Sequence, residues 1–114
     1  MLSIFALSGV ALTLQSQPGG GLVSYEEAVR CAGLSQAASE LEGGESAEGR
    51  SLYDMALYWS LAAMQAATAA GRSSQAAEND QTRARIAAVR QFDTDGATAR
   101  AGLQRCRQKT PKLD

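Results

Sequence analysis

SLYDMALYWSLAAMQAATAAG, residues 51–71, carries a single charge, Asp54, near its start. The segment reads as one long helix. At 3.6 residues per turn, Leu52, Met55, Ala56, Trp59, Ala63, Ala66 and Ala70 share a face. A second apolar stripe, Tyr53, Leu57, Leu61, Met64 and Thr68, lies roughly a third of a turn away. Only a strip near Asp54, Tyr58 and Gln65 is left for water. A helix that is apolar nearly all round belongs in the middle of a fold, so this one is expected at the centre. Its alanines let a neighbouring helix approach closely, and Trp59 fills the wider gap.

On the N-terminal side, Ser51 and Asp54 fit a capping box that would open this helix at 51. Before it, EGGESAEGR (42–50) is acidic, glycine-rich and without an apolar anchor, which predicts a mobile surface loop. Its glutamates do not follow the alternate spacing of an EF-hand loop, so no cation site is assigned. Further upstream, Ser24 and Glu27 form another capping box. The helix it opens draws its inner side from Tyr25, Ala28, Cys31, Ala32, Leu34, Ala38 and Leu41. It is expected to stop near Leu41, where Gly43 and Gly44 accept a left-handed backbone.

On the C-terminal side, Gly71–Ser74 breaks the chain, and a third helix is expected from about Ser74 to Phe92. Its inner residues are Ala77, Ala84, Ile86, Ala87, Ala88, Val89 and Phe92. Asp93–Gly96 reads as a turn, with Thr94 or Asp95 as the next N-cap. A fourth helix to Gln108 offers Ala99, Leu103 and Cys106 as an inner seam. Arg100, Arg105, Arg107 and Lys109 gather toward its C-terminal end, where cations suit the helix dipole. Four helices with short connections predict an all-α fold, either a small four-helix bundle or stacked helical hairpins. The single helical domain would span 24–109, followed by a disordered tail at 110–114.

Leu2–Leu14 (LSIFALSGVALTL) is uncharged and mostly apolar, short for a membrane span and suited to the apolar region of a secretory signal. Residues 1–16 are therefore expected to be a cleaved signal peptide, with 17–23 a flexible lead-in containing Gly19–Gly21. No basic residue precedes the run, and the alternative is a first helix that stays in a cytosolic fold. Export and the cysteine count agree. Cys31 and Cys106 are the only cysteines, and in an oxidising compartment an even pair reads as one disulfide joining the first and last helices.

Charge is unevenly distributed around a net value of -1. Residues 1–60 hold seven acids and two bases, whereas residues 61–114 hold five acids and nine bases. Such asymmetry can steer a partner or let two halves of one fold attract, and the second is the simpler use. The basic end lacks interleaved aromatics, which argues against nucleic acid. The chain has no histidine, no CxxC pair, no GxSxG and no phosphate loop. No catalytic residue, metal ligand or cofactor is assigned.

The function expected is a small exported protein of the cell envelope that binds another protein or peptide: an adaptor, an inhibitor or immunity-type protein, or a holdase. After processing it would have no stable membrane insertion. Contact candidates are Tyr58, the acidic residues Glu42, Glu45 and Glu48, and the basic residues Arg100, Arg105, Arg107 and Lys109. A second reading rests on a likeness. Tyr53, Ala56 and Trp59, followed across Gly71 by Ala77, resemble a tetratricopeptide hairpin. That resemblance implies a cytosolic scaffold holding a peptide. A repeat array needs another copy about 34 residues away, and none in this chain keeps the aromatic positions.

Overall fold

Serine hydroxyls set the starts of three of the four helices among the described residues. Ser24 accepts the amide of Glu27, Ser46 that of Gly49, and Ser73 that of Ala76, at 3.0, 2.9 and 3.0 Å. The computed structural model describes residues 23–112. The signal-peptide assignment at 1–16, most of the lead-in and the last two residues of the tail lie outside them. Helix α1 spans Tyr25–Glu42, α2 Ala47–Ala69, α3 Ser74–Thr94 and α4 Gly96–Gln108. The chain is all-α over this range, as its composition and periodicity predict.

The joints are shorter than the sequence suggests. Helix α2 begins at Ala47, so the box at Ser51 and Asp54 goes unused and only Gly43–Ser46 connects it to α1. Two glycines make this possible. Gly43 has φ +87°, and Gly49 is buried so close to the Gly43 carbonyl that a Cβ there would overlap its oxygen. Glycine content that reads as mobility is here the condition for a tight corner. Helix α2 ends in a Schellman motif on Gly71, with Arg72 N–H on the Ala67 carbonyl (2.8 Å) and Gly71 N–H on Thr68 (3.0 Å). Helices α3 and α4 meet at the single residue Asp95. It occupies the expected N-cap position, but its side chain makes no capping bond.

Contacts along α1 set the topology. Leu34 lies against Gly102, Cys31 is bonded to Cys106, and Glu27 pairs with Lys109, so α4 runs antiparallel to α1. Tyr25 bonds Asp80, Gly33 abuts Ala84, and Glu40 pairs with Arg85, so α3 runs in the same sense as α1. Helix α1 thus touches all three of the others.

That corrects the expectation that the 51–71 helix is central. Helix α1 is buried through an unbroken run, Cys31 to Ser35, and at Ala28, Ala37 and Ala38. These are mostly small residues, and small side chains let helix axes come close on several sides at once. A Cβ on Gly33 would stand 2.6 Å from Ala84 Cβ and 2.7 Å from its carbonyl carbon, so α3 lies directly on the α1 backbone. Ser35, fully buried, returns its hydroxyl to the Cys31 carbonyl at 2.6 Å. Helix α2 buries one face only: Leu52, Met55, Ala56, Trp59, Ala63 and Ala67. Leu41 and Ile86, expected inside, are 59% and 45% exposed.

The Cys31–Cys106 disulfide joins the first and last helices of the four, with a Cα–Cα distance of 5.6 Å between cysteines 75 positions apart. By the chain-entropy argument a closure of that length contributes about 4 kcal/mol. Trp59, 1% exposed, packs in the same core, and its Nε1–H donates to Thr110 Oγ1 at 2.8 Å. Thr110, placed by sequence with the tail, donates in turn to the Cys106 carbonyl at 2.7 Å. Gln81, 6% exposed, is held by Ser60 at 2.9 Å, by Gln36 and by Met64 sulfur, so α1, α2 and α3 share one buried amide.

Candidate binding surface

Burying one stripe of α2 leaves most of the other in water. Tyr53, Leu57 and Leu61 are 57%, 47% and 63% exposed, and their i, i+4, i+8 spacing makes them one ridge along the helix. Asp54 and Gln65 flank the ridge and are exposed as well. From Met55 to Gly71 the chain has no charge, so nothing on the outer face beyond Asp54 repels an apolar neighbour. These three residues were assigned to the interior by sequence. The signal that places them outside is the angle to Trp59: Leu57 and Leu61 lie on the far side of the wheel from the bulkiest core residue.

Beside the ridge runs a groove of about 540 Å³ lined by Val23, Tyr25, Tyr58, Leu61, Ala62 and the alanines toward Ala70. Tyr58, a contact candidate, is half-buried in its wall and stands edge-on to Trp59 with ring centroids 5.1 Å apart. Tyr25 closes one end. Its hydroxyl donates to Asp80 Oδ2 at 2.7 Å, and the Arg72 guanidinium lies over its ring at 4.8 Å. Asp80 also pairs with Arg83, and with Arg72 at 3.9 Å. Burial, and next the Asp80 hydrogen bond, raise the Tyr25 pKa above the usual phenol value. The cluster staples the starts of α1 and α3 to the end of α2.

The charged candidates are not brought together. Glu48 and Arg107 pair at 2.8 Å, and Lys109 pairs with Glu27. Glu27 therefore turns to α4 instead of closing the expected capping box. With Arg85–Glu40, these pairs link acids of the first half of the chain to bases of the second. Part of the charge asymmetry is thus satisfied between the two halves of the fold. Glu42 accepts from the Ser46 hydroxyl, and Glu45 offers its carbonyl to Arg50. The Arg100 guanidinium folds back over Gly96 on its own helix, and Arg105 is exposed. A second apolar patch, which the sequence assigned wholly to the interior, forms where Leu41 meets Ile86, Val89 and Phe92.

Among the described residues, no three metal-ligating side chains converge and no helix is long and apolar enough to cross a membrane. The buried disulfide speaks for an oxidising compartment. Comparison with protein-family models, with curated proteins and with solved structures finds no match for this chain.

Proposed function

We propose that this is a small exported helical protein of the cell envelope that acts by binding another protein, with the outer ridge of α2 as its contact surface. The observation that carries the reading is the exposure of Tyr53, Leu57 and Leu61 in one line on a single helix. Isolated exposed apolar residues are ordinary, whereas a contiguous ridge of them marks an interaction site. The spacing suits a partner that lays an apolar helix alongside. Export is supported by the disulfide and by the apolar run at 2–14, and both weigh against the cytosolic scaffold. Catalysis has no place in this reading.

The test is a photo-crosslinking amino acid at position 57 in the native host, with exposed position 83 on α3 as control. A discrete adduct in the envelope fraction from position 57, lost on Leu61→Glu, is the expected result. Adducts of equal intensity from both positions, or none from 57, would overturn the α2 assignment. The intact mass without reductant tests export separately. The expected species lacks residues 1–16 and is lighter by two hydrogens; a full-length chain with both thiols free would return it to the cytosol.

A further inference from the structure

Helix α4 is the shortest of the four described helices, and the residues it buries are small. Only Ala99, Gly102 and Cys106 are buried along it, and Leu103 is half-buried. At Gly102 it offers Leu34 a bare backbone to lie on. Its other ties are the ion pairs Arg107–Glu48 and Lys109–Glu27, each between one exposed and one half-buried side chain, and the Trp59–Thr110 hydrogen bond just past its end. Pairs this open to water hold weakly, and a 13-residue helix is marginal by itself. Helices α1–α3 do not share this dependence. They interlock through the alanines of α1, through Leu52, Met55 and Ala63 of α2, and through the buried Gln81 amide common to all three. The one strong attachment of α4 to that core is covalent.

We infer that α4 is a redox-controlled clasp: breaking the Cys31–Cys106 bond releases α4 from an otherwise folded α1–α3 core and uncovers Leu34 and Trp59. The step is an ordinary thiol–disulfide exchange. One thiolate of a dithiol reductant attacks Sγ of Cys31 or Cys106, the S–S bond breaks, and a mixed disulfide forms. The second thiol of the reductant displaces it and leaves as a cyclic disulfide. The protein gains two electrons and two protons as two thiols. Both sulfurs are buried, so the closed form hides them until the end of α4 lifts. Once the bond is reduced, the small residues of α4 give little reason to return. The inference stands apart from the α2 ridge, which lies on the other face of α2 from Trp59.

Hydrogen exchange resolved by mass spectrometry decides it, comparing the oxidised chain with the same chain reduced by dithiothreitol. Residues 96–110 are expected to exchange roughly a hundredfold faster on reduction, while α1–α3 change by less than about threefold. Trp59 emission should shift to the red as Nε1–H loses Thr110. The Cys31→Ala/Cys106→Ala variant, which has no bond to re-form, should match the reduced chain. A uniform rise in exchange across all four helices would overturn the proposal, since the bond would then support the whole domain. Unchanged protection in α4 would overturn it equally. Collapse of the helical signal in both reduced chain and variant counts with the first of these.

Discussion

Helices α1 and α2 make the sharpest contrast in the molecule. Helix α2 has the bulk: Trp59, four leucine or methionine side chains within its first fifteen residues, and two tyrosines. Helix α1 has alanine, glycine, serine and cysteine through its middle. Yet α1 lies at the centre and α2 at the side, with Tyr53, Leu57 and Leu61 in water. What puts a helix at the centre is how many neighbours can reach its backbone, and small side chains permit three. Large ones fill the space between two helices, and any surplus is left outside. A helix rich in large apolar residues but with only one packed face is thus a core element and a contact surface at once.

Substitutions on the two helices probe that contrast, and Trp59→Ala has the largest expected effect. Removing a fully buried indole, with its bond to Thr110, should lower stability by about 4 kcal/mol in urea titrations. Gly33→Ala comes next, at about 2 kcal/mol, because the new methyl meets Ala84 and its backbone. That one added carbon on α1 should outweigh any change on the α2 ridge. Leu57→Ser and Leu61→Glu should each lower stability by no more than about 0.5 kcal/mol, while Leu61→Glu abolishes the adduct expected at position 57. If Leu61→Glu destabilised as much as Gly33→Ala, the ridge would be part of the core after all.

The smallest effect concerns pH. Tyr25 holds its proton more tightly in the folded chain than in the unfolded one, so its contribution is fully present below the ordinary phenol pKa of about 10. Above that, the unfolded chain loses the proton first and stability falls with rising pH. Tyr25→Phe should flatten the decline above about pH 10, measured as midpoint against pH. A slope unchanged by the substitution would mean that the Asp80 bond does not couple ionisation to folding.

Helix count and order over the described residues, and the disulfide, were legible because they depend on local signals: the Ser24 cap, glycine stops, and two cysteines with no other use. The packing order was not. Periodicity shows which residues of α2 are apolar, but not how many neighbours will cover them, and Tyr53, Leu57 and Leu61 fell on the wrong side of that question. Gly49 shows a second limit. Glycine in EGGESAEGR signals both freedom and close approach, and only the Gly43 carbonyl lying against it tells which applies. The charged candidates had sound local reasons, but Glu48, Arg107 and Lys109 found partners far away in the chain, which spacing does not reveal.

The disulfide has a mechanical consequence. Glu27 and Lys109 meet, so the two ends of the described chain leave the bundle side by side. A pull on those ends passes through Cys31, across the sulfurs and out through Cys106. The 75-position span between the cysteines, which includes nearly the whole bundle, lies off the load path. Stretched by its termini, the oxidised chain yields only the short arms outside the bond and keeps its core under tension. The reduced chain would yield the whole length.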